Sequence, residues 1–174
     1  MNYSGIYYSD MGNGPGWRVT LFVSGCSNKC PGCQNLEAQD YNYGKPYDED
    51  LHNKIIENLK RPQIQGLSLS GGDPLWQDRD GLKSLIKLCQ EAHELNKNVW
   101  LWTGFVWEDI FCSILDRTEV EEMRKLLKNC DVVVDGPFIL EKRDITLAHR
   151  GSSNQRIIDV KKTLENGEVV LWEA

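Results

Sequence analysis

The chain lacks any apolar run approaching the roughly 18 residues that a membrane-spanning helix needs. Its first five residues, Met-Asn-Tyr-Ser-Gly, also lack the basic and apolar regions of a secretory signal. Both absences argue against insertion into a membrane and against export. We therefore expect a cytoplasmic protein with no membrane partner.

An excess of basic residues is also missing, because 20 Lys and Arg stand against 26 Asp and Glu and give a net charge of −6. Proteins that bind nucleic acid broadly need a basic surface to displace counterions from phosphates, so the charge predicts no such partner. The sequence shows no internal repeat, low-complexity tract or long linker. A length of 174 residues with 40% hydrophobic residues is typical of one globular unit, and we expect residues 1–174 to form a single domain.

Histidine is scarce, with three residues, whereas cysteine occurs six times. In a reducing cytoplasm cysteines stay free, so they serve in metal binding, catalysis or core packing. Three of them are scattered: Cys89 continues the apolar face of a helix-like segment, and Cys112 and Cys130 have apolar neighbours in the sequence. Because free cysteine commonly behaves as a small buried hydrophobe, we expect these three in the core.

The other three cysteines, Cys26, Cys30 and Cys33, supply three thiolates from one tight loop. Thiolates are soft ligands that suit both iron–sulfur clusters and zinc. A structural zinc site is closed by four ligands, and the three histidines lie far along the chain. A cubane cluster held by three cysteines instead leaves one iron open for chemistry. The spacing favours an iron–sulfur cluster, and a zinc loop completed by a distant residue is the alternative.

Strand-like and helix-like segments alternate along the chain. Short apolar runs predict strands at residues 18–24, 66–70, 99–103 and 131–135. Helix-like patterns follow Asp48 and Asp78 and also cover residues 108–115 and 119–128. Thr118 and Glu121 form a capping-box signature for the last of these helices. The alternation predicts a parallel sheet with right-handed crossovers, and the tail predicts a closing hairpin between residues 156–160 and 169–172.

Each of the first four predicted strands ends in a glycine-containing or polar segment. These segments are Gly25-Cys26, Gly71-Gly72-Asp73, Thr103-Gly104 and Asp135-Gly136. Ligands gather beyond the carboxyl ends of parallel strands, so the segments are candidate binding residues. Glycine lets a ligand approach the main chain, and Asp73 offers a carboxylate to an ammonium group. Strands also end in plain turns, which explain the third and fourth segments equally well.

Two of these features together resemble the radical S-adenosylmethionine superfamily, namely the Cys-x3-Cys-x2-Cys spacing and the segment Ser70-Gly71-Gly72-Asp73-Pro74. Within it, the chain resembles the activating proteins of anaerobic ribonucleoside-triphosphate reductases. The matching segments are residues 13–18, 25–33, 70–75, 135–138 and 150–156. The segment 150–156 indicates the activating proteins within the superfamily. We expect this segment to contact the cofactor or the partner, or to be a solvated loop. Gly32 stands where many superfamily members have an aromatic residue, and Asp73 stands where many have glutamate.

The resemblance implies cofactors, partners and a reaction. One 4Fe-4S cluster on Cys26, Cys30 and Cys33 would bind S-adenosylmethionine at its open iron. Reduction by a flavodoxin-like electron donor would release methionine and a 5′-deoxyadenosyl radical, which would take a hydrogen atom from a glycine of the anaerobic ribonucleoside-triphosphate reductase. The expected cofactor-binding residues are Gly32, Ser70, Gly71, Gly72, Asp73, Thr103 and Asp135, with Arg18 as a further candidate for the pocket wall.

The fold class that we expect is α/β. A closed eight-stranded barrel takes about 250 residues, so this chain predicts an incomplete (βα) barrel with parallel strands and a C-terminal hairpin or strand extension. Its open mouth suits a protein substrate that inserts a glycine-bearing loop. Three rival functions stay open: activation of another glycyl-radical enzyme such as pyruvate formate-lyase, radical chemistry on a small molecule as in deazapurine biosynthesis, and a non-catalytic zinc-binding module.

Overall fold

A computed structural model of the protein describes residues 1–112 and 117–173. The strands in these ranges are β1 (Asn2–Asp10), β2 (Trp17–Val23), β3 (Lys45–Pro46), β4 (Ile64–Gly71), β5 (Asn98–Trp102), β6 (Val132–Asp135) and β7 (Arg156–Asp159). The helices are α1 (Glu49–Leu59), α2 (Arg79–Glu94), α3 (Trp107–Phe111), α4 (Val120–Lys128) and α5 (Val160–Asn166). None of the helices in the described ranges combines the length and the apolar character needed to cross a membrane.

The strands form one mixed sheet in the order β3-β1-β2-β4-β5-β6-β7. The neighbours β2, β4, β5 and β6 are parallel, which confirms the predicted parallel sheet. The strands β3 and β1 at one end of the sheet, and β7 at the other end, run antiparallel to their neighbours. The α/β class is therefore confirmed, but the sheet of the described residues is open and no barrel is observed, because the end strands β3 and β7 do not pair with each other.

The helices cover one face of this sheet. Along β2, Val19, Leu21 and Val23 belong to the main apolar core beneath the helices. Successive side chains of a strand point to opposite faces, so Thr20 and Phe22 lie on the other face. Loops rather than helices cover that second face. The packing of the helical layer thus leaves one face of the sheet available for polar groups and a binding site.

Both helix starts predicted at an aspartate are confirmed. The Asp48 side chain accepts a hydrogen bond from the Leu51 N–H at 2.8 Å, and the Asp78 side chain accepts one from the Gly81 N–H at 2.8 Å. Each bond satisfies a backbone donor in the first turn that has no acceptor inside the helix. These caps fix where α1 and α2 begin.

The capping box predicted before α4 is wrong. Glu119 occupies the N-cap position without a side-chain cap bond, and the Thr118 hydroxyl donates to Glu119 Oε1 at 2.9 Å. Glu121 accepts a bond from Arg124 instead of reaching back to the cap. The Thr118 and Glu121 side chains therefore bond to neighbouring side chains and not to the backbone N–H groups that a capping box satisfies. The preceding helix α3 covers the first part of the helix predicted at residues 108–115, and residues 113–115 of that prediction lie outside the described residues.

The prediction of a C-terminal hairpin is wrong in one respect, since α5 lies between its two arms. The Asp159 side chain caps α5 by accepting from the Lys162 N–H at 3.0 Å, and Gly167, with a φ of 75°, ends the helix. The chain then returns antiparallel to β7, where the Trp172 N–H donates to the Ile157 carbonyl at 2.8 Å. The predicted strand extension is present, but a helix closes it where a tight turn was expected.

The strand β1 is not indicated by the sequence pattern. Its register against β2 shifts between Tyr3 and Gly5, and this irregularity interrupts the alternation of apolar and polar residues that marks a strand. Ile6 and Tyr8 nevertheless pack against the main core from this strand. β1 therefore extends the sheet beside β2, the strand that leads into the clustered cysteines.

Candidate functional site

A cavity of about 570 Å³ opens on the loop-covered side of the sheet, beyond the carboxyl ends of β2, β4 and β5. Open α/β sheets bind ligands at this position. Of the predicted site residues, the cavity wall contains Cys26, Cys30, Cys33, Ser70, Gly71, Gly72, Asp73 and Thr103. Gly32 and Asp135 do not line it. The sheet therefore brings the cysteines together with the glycine turn and with the end of β5.

The clustered cysteines are half-buried in the loop that follows β2. Gly25 begins this loop with a φ of 102°, and a Cβ there would lie 2.3 Å from the Tyr41 ring, so glycine is required. Burial, together with the nearby Asp73 carboxylate, raises the pKa of the Cys26 thiol to about 12. A metal that binds this sulfur displaces the thiol proton, as thiolate ligation generally requires.

Gly32, directly before the third cysteine, packs beside the cavity. Its φ is 71°, and a Cβ at this position would lie 2.8 Å from Leu140 Cδ1. An aromatic side chain at residue 32 would have to displace Leu140, which belongs to the loop after β6. The positive φ is the stronger constraint, because residues other than glycine rarely adopt it. The cofactor contact expected for Gly32 stays a prediction.

Backbone hydrogen bonds join the cysteine loop to the turn after β4. The Gly72 N–H donates to the Val23 carbonyl at 2.7 Å, and the Asp73 N–H donates to the Gly25 carbonyl at 2.9 Å. At Gly71, whose φ is 107°, a Cβ would lie 2.4 Å from the Val23 carbonyl oxygen. The two glycines allow this close approach of main chains. The expected binding motif is thus also the contact that supports the cysteine loop.

Asp73 is buried, with 1% of its surface exposed, and its carboxylate holds neighbouring segments together. Oδ1 accepts from the Leu75 N–H at 2.9 Å, while Oδ2 accepts from the Gly104 N–H at 2.8 Å and from the Thr103 hydroxyl at 3.0 Å. Burial raises the pKa of this carboxyl to about 6, although the bonds from Gly104, Leu75 and Thr103 oppose the shift. Both oxygens already accept bonds, so an ammonium group would have to share one of them.

Replacing Asp73 with asparagine is expected to lower the free energy of unfolding by about 1–3 kcal/mol, the cost of leaving a buried donor without an acceptor. The amide nitrogen of asparagine cannot accept a bond, so either orientation leaves the Leu75 N–H or the Gly104 N–H unsatisfied. Urea unfolding of reconstituted protein under anaerobic conditions measures the change.

The matched control for that substitution is Asp159→Asn. Asp159, in contrast to Asp73, accepts one backbone bond, from the Lys162 N–H, at an accessible helix start where asparagine caps as well as aspartate. We expect its unfolding free energy to stay close to the wild-type value. Equal losses in the two variants would contradict the role assigned to Asp73.

Asn28, inside the cysteine loop, is a site residue that the sequence pattern did not indicate. Its Oδ1 accepts from the Trp76 indole N–H at 3.0 Å, and its Nδ2 donates to Asp73 Oδ2 at 3.4 Å. Asn28 also lines the cavity. It therefore links the loop between Cys26 and Cys30 to the turn after β4. The signal available in the sequence was its position between two clustered cysteines, which alone does not distinguish Asn28 from its neighbours.

Two residues expected in the pocket wall, Asp135 and Arg18, lie away from the cavity. Asp135 is buried, where it pairs with Arg156 and accepts from the Trp107 N–H at 2.9 Å. Arg18 is buried near the start of β2 and donates to the Ser68 hydroxyl at 2.6 Å. Both charges have their partners inside the fold, so in this structure the two residues belong to the framework.

Residues 150–156 form part of the cavity wall. Gln155 Nε2 donates to the Gly136 carbonyl at 3.0 Å, and its Oε1 accepts from the Gly151 N–H at 2.9 Å. Gln155, Gly151 and the adjacent His149 line the cavity. The segment is therefore joined to the loop after β6, and the two segments that carry the resemblance in this half of the chain meet at the site.

Two of the scattered cysteines, Cys89 and Cys130, are buried as predicted. The core position predicted for Cys112 is wrong, because this residue is exposed. It occupies the C-cap of α3, where Ile110 and Phe111 pack against the core. Apolar neighbours in the sequence therefore do not ensure that a residue is buried when the helix ends at that residue.

The donor set at this cavity fits an iron–sulfur cluster. Cys26, Cys30 and Cys33 present soft sulfur ligands from one loop, and the same wall contains main-chain and polar groups for a second ligand. Among the residues that the structure describes, no group of three or more Cys, His, Asp or Glu side chains is arranged to hold a single metal ion. The three cysteines are the residues that would hold the cluster.

Known proteins match the chain over most of its length. Residues 12–158 match the family model of a 4Fe-4S single cluster domain. The chain is 40% identical over 159 residues to the anaerobic ribonucleoside-triphosphate reductase-activating protein of Escherichia coli K12, which covers 89% of this chain and 96% of that protein. Its identity to the protein of the same name from Vibrio cholerae is 42% over 161 residues, covering 90% and 97% of the two chains. A relative from phage T4 with this name is 39% identical over 159 residues, covering 90% and 93%. The chain belongs to the family of anaerobic ribonucleoside-triphosphate reductase-activating proteins.

Proposed function

We propose that this protein activates an anaerobic ribonucleoside-triphosphate reductase by generating a glycyl radical on it, with an iron–sulfur cluster and S-adenosylmethionine as cofactors. The observation that carries the proposal is the pair of backbone bonds from Gly72 and Asp73 that join the glycine turn to the cysteine loop at one cavity. Metal ligands and main-chain binding groups then face the same space. The names of the relatives suggest the reductase as the partner.

Each part of the site has a task in this proposal. A 4Fe-4S cluster would supply the electron that breaks the sulfonium–carbon bond of S-adenosylmethionine, and the resulting 5′-deoxyadenosyl radical takes a hydrogen atom from glycine. Cys26, Cys30 and Cys33 hold the cluster. Gly71 and Gly72 line the wall beside them, where the main chain of the turn offers hydrogen-bonding groups to the methionine end of the cofactor.

The buried charge of Asp73 supports a cationic ligand in this cavity. S-adenosylmethionine carries a sulfonium and an ammonium group, and a nearby cation lowers the raised pKa of the Asp73 carboxyl and keeps it ionised. We assign Asp73 two tasks. It holds Thr103 and Gly104 in place through hydrogen bonds, and its charge favours the sulfonium compound over the neutral sulfur of methionine.

The remaining partners follow from the proposed reaction. Each cleavage consumes one electron, so we propose a flavodoxin-like protein as the donor. The chain acts as a single domain in the cytoplasm, where the reductase is made. The open side of the cavity gives a protein substrate access, which a closed pocket for a small molecule would not.

The proposed function is tested with protein reconstituted with iron and sulfide in the absence of oxygen. We expect a brown protein that, with dithionite and S-adenosylmethionine, forms 5′-deoxyadenosine and methionine in equal amounts. Addition of the anaerobic reductase from the same organism is expected to give a glycyl radical, which electron paramagnetic resonance detects.

Several results would overturn the proposal. A colourless protein that contains zinc, or an iron-loaded protein that leaves S-adenosylmethionine intact, removes the enzymatic function. If a glycyl radical forms on pyruvate formate-lyase but not on the ribonucleotide reductase, pyruvate formate-lyase is the partner and the proposed one is wrong. Cleavage that never produces a protein radical points to a small-molecule substrate.

A further inference from the structure

The outer edge of β1 has a strand partner along only part of its length. β1 pairs with β3 only at Asn2 and Tyr3, whereas its pairing with β2 continues to Asp10. Within the described residues, no strand lies against the outer edge of β1 between Gly5 and Ser9. An unpaired edge presents N–H and C=O groups that readily accept another strand. Arg61 already donates to the Tyr8 carbonyl and the Ser9 hydroxyl, so the template for main-chain pairing runs from Gly5 to Tyr7.

A groove of about 460 Å³ lies beside this edge, between β1 and residues 34–43, and is termed the β1 groove. Tyr7, Leu36 and Tyr43 line it with 60%, 69% and 39% of their surfaces exposed. Phe22 contacts Tyr7 edge-on, with ring centroids 5.5 Å apart. Single exposed apolar side chains are common on protein surfaces, but several along one groove mark a binding surface.

The β1 groove runs into the cavity of the candidate site. Phe22, Gln34 and Asn35 line both spaces, and Gln34 directly follows Cys33. Asn35 Nδ2 donates to the Gly71 carbonyl at 3.0 Å, so the junction is fixed to the glycine turn. A chain that lies in the groove is therefore led to the three cysteines.

We propose that the β1 groove binds an extended segment of the partner reductase, which delivers the adjoining glycine to the cavity. This inference rests on the proposed function. Strand addition gives main-chain bonds along β1, and alternate side chains of the segment fill the pockets beside Tyr7 and Leu36. A second copy of this chain at the same edge would block the route to the cavity, whereas the reductase segment uses that route.

The test uses the double variant Tyr7→Gln/Leu36→Gln, reconstituted with its cluster, and the purified anaerobic reductase from the same organism. We expect its affinity for the reductase to fall about tenfold, because aromatic and apolar anchors dominate binding at such sites. Glycyl-radical formation at low reductase concentration falls by the same factor. Cleavage of S-adenosylmethionine without the reductase stays at the wild-type rate, since both side chains lie outside the cysteine cavity.

The matched control is Leu164→Gln on α5, near the other end of the sheet. Leu164 is 42% exposed, and its replacement changes surface polarity in the same way as that of Leu36. We expect wild-type binding and activation. A second measurement needs no variant: hydrogen exchange of the amides of residues 5–7 is expected to slow when the wild-type protein binds the reductase.

The outcomes separate this docking site from the proposed function. Full activation by the double variant, or unchanged exchange at residues 5–7 in the complex, overturns the docking site and leaves the function standing. Failure of the wild type to cleave S-adenosylmethionine counts against the function itself. A dimer of this chain alone that dissociates on Tyr7→Gln/Leu36→Gln overturns the choice of occupant.

Discussion

Replacing Cys30 with alanine is expected to abolish the cleavage of S-adenosylmethionine. The residue is one of three half-buried thiols at the cavity, and among the described residues that line it no other cysteine is present to substitute. A cluster with two protein ligands is lost or inactive, so iron and sulfide content falls as well. The measurements are iron and sulfide per chain and the amount of 5′-deoxyadenosine formed with dithionite. The same result is expected for Cys26→Ala and Cys33→Ala.

Two other cysteines provide matched controls for this result. Cys112→Ala changes an exposed thiol outside the cavity and is expected to keep both iron content and turnover. Cys89→Ala changes a buried thiol on α2, so we expect retained turnover with a small loss of stability, on the order of 1 kcal/mol. Wild-type turnover by Cys30→Ala would contradict the assignment of the cluster ligands.

Replacing Gly71 with alanine is expected to lower the free energy of unfolding by about 3 kcal/mol or more and to prevent cluster binding. Its φ is 107°, and the added Cβ would lie 2.4 Å from the oxygen and 2.5 Å from the nitrogen of Val23. Both atoms are main chain, so no side-chain rotation relieves the contact. The turn would have to move away from the cysteine loop. Anaerobic urea unfolding and iron content measure the two effects.

The Gly167→Ala variant separates the destabilisation caused by a close Cβ contact from the destabilisation caused by the left-handed backbone conformation. Gly167 also has a positive φ, 75°, but a Cβ there would meet nothing within 4 Å. Only the cost of the left-handed conformation remains, about 1–2 kcal/mol. Iron content is expected to stay at the wild-type level. If both alanine variants lost the same stability and kept iron equally, the approach of Gly71 to β2 would not be what supports the site.

Much of the site could be predicted because its ligands are close in sequence or lie at strand ends. The three cysteines share one loop, and residues 70–73 directly end a strand that is parallel to β2. Parallel strands present their carboxyl ends at the same edge of the sheet, so the two groups had to meet. The aspartate caps of α1 and α2 could also be predicted, because a cap bonds to a donor only three residues away.

Other parts depend on contacts between distant segments and could not be predicted. Asp135 turns from the cavity because Arg156, on an antiparallel strand, pairs with it. The role of Asn28 depends on Trp76 and Asp73 lying beside the cysteine loop. The unpaired part of the β1 edge depends on β3 being only two residues long. Periodicity and spacing describe neighbours along the chain, and these three features arise from neighbours across the fold.

The bonds around Asp73 make the energetic effects of residues far apart in the sequence depend on one another. A Cβ on Gly104 would lie 2.0 Å from Asn28 Nδ2, and both residues bond to the same carboxylate oxygen. A larger residue at position 104 would therefore displace the Asn28 amide from the Asp73 carboxylate. We therefore expect substitutions at residues 28, 73 and 104 to change the free energy of unfolding in a non-additive way, because the three residues share contacts at one carboxylate oxygen.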